Sequence, residues 1–199
     1  MPHDRAFATL RLKDRIKPGL RVLLVGINPG VRSAVTGHHF AGFSNRFWRL
    51  LADSGLVPEL LSFEQDHRLP EFGFGITNLV ARPTPGITDL APAEYVEGWK
   101  ALEAKIRRFR PEVVALVGVT LYRAIGPLIL VKISGEVDRK TRAALRLRPI
   151  ALGLQPLTVH GAQIFVLPNP SGRNANYTYA EMLAAFTALR RTLDREMSP

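Results

Sequence analysis

Four short apolar segments, each followed by glycine, proline or asparagine, constrain the fold of this chain more than any other feature. They are "RVLLVGI" at 21–27, "GITNLV" at 75–80, "VVALVG" at 113–118 and "QIFVLPNPSG" at 163–172. Short apolar runs that are partly β-branched and bounded by turn residues are typical of buried strands. Segments with helical spacing alternate with them. The pattern predicts an α/β fold, a three-layer sandwich with a central, mostly parallel β-sheet flanked by helices.

The segments with helical spacing predict four helices, at 45–55, about 93–109, about 121–125 and about 179–195. Ser44 is the expected N-cap of the first helix, and Gly55 is its expected stop. Pro111 is expected to end the second. In a sheet of this kind ligands bind at the carboxyl ends of the strands, so the loops that follow the strands are the candidate site.

The chain of 199 residues is predicted to form a single domain over 1–199. Residues 1–18 are expected to be a flexible or peripheral segment. The segment 127–152 alternates apolar and basic stretches without a clear period, so a basic loop insertion and an added helix both stay open. No apolar run is long enough to span a membrane, and the first residues lack the apolar core of a signal peptide. A cytoplasmic protein with no targeting signal is therefore expected.

Charge and cysteine content narrow the function classes. Lys and Arg number 27 against 17 Asp and Glu, a formal charge of +10, which favours a polyanionic partner such as nucleic acid. A solvated basic surface would give the same composition. The chain has no cysteine, which excludes disulfides, thiolate-held clusters and a cysteine nucleophile. His38 and His39 lack partners at metal-ligand spacing, so no metal site is predicted.

The loop after the first strand, "GINPGVRSAVTGHHFAGFSNRFW", holds the first candidate residues. Its glycines match neither GxGxxG nor GxxxxGK[ST], so a nucleotide-phosphate loop is rejected. Asn28 follows a strand, where its amide either closes the turn or holds a water or the polar edge of a ligand. Phe40 lies in a glycine-rich loop, where a ring can stack on a flat heterocycle. Phe47 and Trp48 are assigned to the core.

Hydrolysis of a glycosidic bond commonly uses two carboxylates. Neither the loop after the first strand nor "NPSGRNANYTY" contains an acidic residue. Asp66, Glu71 and Asp89 lie in other loops and are interpreted as caps or surface charges. A mechanism based on a pair of carboxylates is therefore not predicted.

Taken together, these motifs resemble those of the mismatch-specific uracil/thymine DNA glycosylases, a family within the uracil-DNA glycosylase superfamily. The resemblance covers most of the chain and rests on "GINPG", "TGHHFAGFSNRFW", "DHRLPEFGFGITNLVARPTPG", "LGLQP" and "LPNPSG", in the family's order and approximate spacing. It implies a monofunctional enzyme of base excision repair that flips uracil, or thymine, out of mismatched DNA. Hydrolysis of the N-glycosidic bond then leaves an abasic site. The implied partner is DNA, and the implied enzyme is a monomer that needs no cofactor and no membrane.

The resemblance also implies roles for single residues. Asn28 is expected to position the attacking water, and because an amide is not a strong base it would orient the water rather than deprotonate it. Phe40 is expected to stack on the flipped base, and Ile27 to contact it through its backbone. Asn78 either touches the base edge or caps a strand end. The full set of implied pocket residues is Ile27, Gly30, Ser33, His39, Phe40 and Asn78.

In this family the "NPSG" loop enters the minor groove. Its residues Asn169, Pro170, Ser171 and Gly172 are expected to grip the DNA. Arg173 departs from the Leu or Ser that is common in relatives, and it is expected either to fill the vacated base stack as a wedge or to contact a phosphate.

The lesion range stays open. Ser33 lies where thymine-active members tend to carry Ala, whereas His39 matches a pocket histidine of those members, and together they favour uracil over thymine. The alternatives are a glycosylase for another lesion, such as hypoxanthine or etheno-cytosine, and a noncatalytic nucleic-acid-binding module.

Overall fold

A computed structural model of the protein describes residue 7, residues 9–134 and residues 150–195. Its centre is a sheet of five strands: β1 (Val22–Gly26), β2 (Phe74–Asn78), β3 (Val113–Val117), β4 (Gly153–Val159) and β5 (Ala162–Leu167). The strand order is β2-β1-β3-β5-β4, and only β4, at one edge, runs antiparallel to its neighbour. The predicted α/β fold with a mostly parallel sheet is confirmed.

Helices cover both faces of this sheet. They are α1 (Val31–Thr36), α2 (Phe47–Asp53), α3 (Pro92–Phe109), α4 (Val119–Ser134) and α5 (Tyr179–Arg195), with 3-10 helices at Phe63–Phe72 and Ile87–Asp89. Successive side chains of a strand point to opposite faces. Val22 and Leu24 therefore pack with α2 and α5, whereas Leu23 and Val25 pack with α3 and α4. The two apolar faces make β1 fully buried, as its unbroken apolar sequence predicts.

The cap of α2 differs from the prediction. Ser44 is not the N-cap, because the helix begins at Phe47 and Arg46 occupies the cap position without a side-chain hydrogen bond. Asn45 Oδ1 accepts the Phe47 N–H at 3.0 Å instead. Gly55 does follow the end of the helix, with φ of 72°, a left-handed conformation that glycine adopts without strain.

Helix α4 is much longer than the short helix predicted over about 121–125, although it contains Pro127. A proline inside a helix costs about 3 kcal/mol. Leu121, Ile125 and Ile129 are completely buried against the sheet, and each such side chain contributes roughly 1.5–3 kcal/mol, so packing outweighs the proline. Of the segment 127–152, residues 127–134 are thus helical, and residues 135–149 lie outside the described part.

The segment that precedes β1 is packed where the structure describes it. Arg15 exchanges two backbone hydrogen bonds with Ile76 of β2, at 3.0 and 2.9 Å. Leu12 reaches the cavity described below. Residues 9–18, expected to be peripheral, therefore lie beside β2 and next to the candidate site.

Parallel pairing brings the loops of the candidate site together. Gly26 of β1 lies opposite Asn78 of β2, and Val117 of β3 lies opposite Leu167 of β5. The loops that leave these strands consequently meet at one edge of the sheet. A side chain at Gly26 would not fit there, because a Cβ would lie 2.6 Å from Asn78 Oδ1.

Candidate active site

A cavity of ≈ 590 Å³ opens at the carboxyl edge of the sheet. Its walls come from the loops after β1, β2 and β5. Eleven of the twelve residues predicted for the site line it: Ile27, Asn28, Gly30, Ser33, His39, Phe40, Asn78, Asn169, Ser171, Gly172 and Arg173. The exception is Pro170, which is buried beneath the loop. Pro170 therefore supports this surface and does not form part of it.

The amide of Asn28 is held in one orientation. Its Nδ2 donates to Thr84 Oγ1 at 2.7 Å and to the Arg82 carbonyl oxygen at 3.1 Å. Since a carbonyl oxygen can only accept, the group that faces Arg82 must be the NH₂. None of the described residues donates a hydrogen bond to Asn28 Oδ1. This oxygen is therefore an acceptor available to a molecule in the cavity.

The segment that holds Asn28 is itself anchored. The Arg82 guanidinium forms a two-pronged ion pair with Glu94 of α3, both contacts at 2.8 Å, and this pairing lowers the pKa of Glu94 to about 2. Thr84 is buried, and its N–H donates to the Pro29 carbonyl oxygen at 3.2 Å. The hydroxyl of Thr84 donates in turn to the Gly86 carbonyl oxygen. Because it has given its proton to Gly86, it must accept from Asn28.

Phe40 forms an aromatic wall of the cavity. Its ring stacks on Phe47 at 4.0 Å between centroids and 17° between planes. Phe40 has φ of 52°, a backbone conformation that costs a non-glycine residue roughly 1–3 kcal/mol. Ser33 Oγ helps to hold this turn by accepting the Ala41 N–H at 3.1 Å. Ser33 is thus an anchor of the Phe40 turn as well as a cavity residue.

His39 and Asn78 form a buried polar pair beside Phe40. The His39 ring is 1% exposed, and burial lowers its pKa. His39 Nε2 lies 3.1 Å from the Lys13 carbonyl oxygen, so it carries the proton, and Nδ1 is left as an acceptor. Asn78 Nδ2 lies 3.5 Å from that Nδ1. This contact turns the NH₂ of Asn78 toward His39 and its oxygen toward Gly26.

Asp66, interpreted from the sequence as a cap or surface charge, is fully buried. Its carboxylate accepts from Arg15 Nε at 2.9 Å and from the His39 N–H at 3.0 Å, and it lies 3.2 Å from His38 Nδ1. Asp66 therefore positions the histidine pair that precedes Phe40. It is absent from the cavity lining, and the described residues do not form a pair of catalytic carboxylates there.

The "NPSG" loop is tied to the loop before α2. Arg46 donates through its backbone to the Pro170 carbonyl oxygen at 3.0 Å and through Nη2 to the Ser171 carbonyl oxygen at 2.8 Å. Gly172 packs so closely on Ser44 that a Cβ there would lie 2.7 Å from the Ser44 carbonyl oxygen. Arg173 is exposed at the cavity rim. The role of Arg46 was not predicted, since nothing near it in the sequence marks its partners.

The electrostatics of the cavity favour an anion. No acidic side chain lines it in the described part of the chain, whereas Arg32 and Arg173 do. The formal charge of the whole chain is +10. A polyanion can therefore approach this edge without meeting like charge.

Comparison with known proteins assigns the chain to a family. The family model of the uracil DNA glycosylase superfamily matches residues 14–193. The chain belongs to the uracil DNA glycosylase superfamily. Proteins of this superfamily are DNA glycosylases of DNA repair, hydrolases that cut the bond between a base and its deoxyribose. DNA is therefore the partner of this chain.

A solved structure shows the same fold. The solution NMR structure of a candidate uracil DNA glycosylase from Methanosarcina acetivorans superposes with a TM-score of 0.58 at 14% sequence identity. The match covers 93% of this chain and 98% of that one. In the described part of this superfamily member, none of the helices is long and apolar enough to cross a membrane.

Proposed function

We propose that this protein is a monofunctional DNA glycosylase that removes uracil from mismatched DNA with a water oriented by Asn28. The observation that carries the proposal is the orientation of the Asn28 amide. Its NH₂ is engaged by Thr84 and Arg82, so its Oδ1 is left to accept a hydrogen bond from a water in the cavity. Such a water would be aimed rather than deprotonated, because an amide is no base.

The proposed reaction is dissociative. The bond between C1′ and N1 breaks first, and its electron pair leaves with the base as an anion. The water oxygen then bonds to C1′ of the oxocarbenium ion, and its proton passes to solvent or to the departed base. Among the described residues no acidic side chain lines the cavity, and this supports the dissociative order, because none of them supplies a carboxylate to generate a strong nucleophile. The phosphates of the DNA would stabilise the sugar cation.

In the proposed pocket a pyrimidine is recognised by stacking on an aromatic ring and by a hydrogen bond to the polar edge of the base. Phe40 offers a ring that is braced from behind by Phe47. Asn78, whose NH₂ is turned toward His39, offers its oxygen to an N–H of the base. Uracil carries a proton on N3 and cytosine does not, so this arrangement favours uracil. Extrusion of the base costs least at a mispair, which supports a preference for mismatched DNA.

A broader lesion range is the second candidate. The cavity volume of ≈ 590 Å³ is larger than one pyrimidine fills. Recognition by stacking and by a single amide tolerates other flat bases, such as hypoxanthine or etheno-cytosine. The cavity does not favour a noncatalytic binding module, because such a module has no need of an oriented acceptor beside an aromatic wall.

The deciding experiment compares wild type with Asn28→Ala. Base release is measured by strand cleavage after alkali on duplexes with G·U, A·U, G·T and G·hypoxanthine, and on single-stranded uracil DNA. We expect the variant to lose about 100-fold or more in single-turnover rate while it still binds DNA. Gln155→Ala, which removes an amide on the edge strand β4, is the control and should retain the wild-type rate. Base release by Asn28→Ala at the wild-type rate would refute the proposed mechanism. A wild-type protein that releases no base from any of these substrates would refute the proposed glycosylase activity.

A further inference from the structure

Phe43 is a large apolar side chain in an unusual place. It is 91% exposed, more than any other large hydrophobic residue in the described part of the chain. It lies at the rim of the cavity, in the turn between α1 and α2. A phenyl ring left in water contributes almost nothing to folding, since the gain comes from burial. None of the described residues buries this ring, so its free face is open to a ligand at the rim of the cavity.

The Arg32 guanidinium stacks on one face of this ring. The Arg32 guanidinium carbon lies 3.4 Å from the centroid of Phe43 and 5.5 Å from that of Phe63. Arg32 Nε is buried and has no hydrogen-bond partner among the described residues. The stack limits the motion of the exposed ring, so a molecule that packs on the free face meets a ring that is already oriented.

The Phe43 turn and the "NPSG" loop form one continuous surface. Ser44, the next residue, contacts Gly172 directly. Arg46 bonds to the Pro170 and Ser171 carbonyl oxygens. Phe43 and Arg173 consequently stand on two loops that are packed together at the mouth of the same cavity.

We infer that Phe43 stacks on the base that flanks the extrahelical nucleotide in the same strand. The inference rests on the proposed function, because only an extruded nucleotide bares the face of its neighbour. A base is the favoured occupant because the ring adjoins the cavity and is backed by a cation, and because none of the acidic side chains that the structure describes lines the cavity. Stacking on an aromatic ring needs no second strand. Phe43 would therefore aid the binding of single-stranded DNA as well as duplex DNA.

The test uses Phe43→Ala and DNA with a tetrahydrofuran abasic analogue flanked by 2-aminopurine, whose fluorescence is quenched by stacking. Wild type is expected to quench the probe, and the variant to leave it bright. The loss of stacking should weaken binding by about 5- to 150-fold in both single-stranded and duplex DNA. Phe43→Trp, which keeps a stacking face, should restore both signals. Leu60→Ala is the matched control, since Leu60 is 65% exposed and lies outside the cavity lining.

The outcomes separate the two proposals. If the wild type releases uracil and Phe43→Ala binds and quenches like the wild type, the stacking role is wrong and the glycosylase stands. If the wild type neither binds DNA nor releases a base, the proposed function itself fails. A failure of Phe43→Ala to fold would be visible as a lowered melting temperature, and Phe43→Trp then decides by retaining or losing the quench.

Discussion

Thr84→Val tests how Asn28 is oriented. Valine has nearly the volume of threonine, so the buried position stays filled, but it removes the oxygen that accepts from Asn28 Nδ2 at 2.7 Å. The Arg82 carbonyl oxygen at 3.1 Å and the Pro29 carbonyl oxygen at 3.4 Å remain as acceptors. The amide thus loses the shortest of its three hydrogen bonds, and a net hydrogen bond contributes about 0.5–1.5 kcal/mol. We expect the single-turnover rate of uracil release to fall by roughly 2- to 13-fold.

The assay separates orientation from binding. Single-turnover rates are measured over a range of enzyme concentrations with a G·U duplex, which gives the maximal rate and the half-saturating concentration independently. Thr84 acts through Asn28, so the maximal rate should fall while the half-saturating concentration changes little. Thr84→Ser keeps the oxygen and should remain near the wild-type rate. A wild-type maximal rate for the valine variant, or an equal loss in the serine variant, would refute the reasoning.

Two further predictions concern the surroundings of the site. Gly172→Ala should weaken DNA binding and lower the melting temperature by several degrees, because the added Cβ meets Ser44 and displaces the loop, at about 1–3 kcal/mol of strain. Unchanged affinity in a fluorescence-anisotropy titration would contradict this prediction. Burial lowers the pKa of His39 from its ordinary 6.5. Below about pH 6.5 the unfolded chain therefore binds a proton that the folded ring does not, and the free energy of unfolding should fall as the pH is lowered. Urea unfolding at several pH values should show a smaller decline for His39→Gln than for wild type, and parallel curves would refute the buried neutral ring.

Much of the sheet and its helices follows from local pattern. β1 and β3 are continuous apolar runs, and β5 is one apart from Gln163, because both faces of these strands are covered by helices, and such runs are visible in the sequence. Helix α5 begins and ends at the predicted residues, Tyr179 and Arg195. The edge strand β4 was not predicted, since it is exposed on one side and contains Pro156. Its pairing with β5 is a property of the assembled sheet.

The hydrogen bonds of the candidate site, unlike the strands and helices, could not be predicted from local pattern. Asn28 and Phe40 could be singled out because a strand end and a glycine-rich loop mark them. The partner that orients Asn28 is 56 residues away, and the carbonyl oxygen that holds Arg46 is 125 residues away. No local periodicity encodes such pairs.

The sequence by itself determined most of the buried strands and helices and the loops that leave the parallel strands. The physical reason is that burial on both faces makes a strand a continuous apolar run, whereas burial on one face gives a helix a repeating apolar pattern. Only the tertiary structure decided which atom of each polar group faces the cavity. That choice depends on acceptors and donors brought together from distant segments, as with the Arg82 carbonyl oxygen that turns the Asn28 NH₂ away from the cavity. The buried Asp66 is a further case, because its carboxylate is compensated by Arg15, which reaches it across the fold.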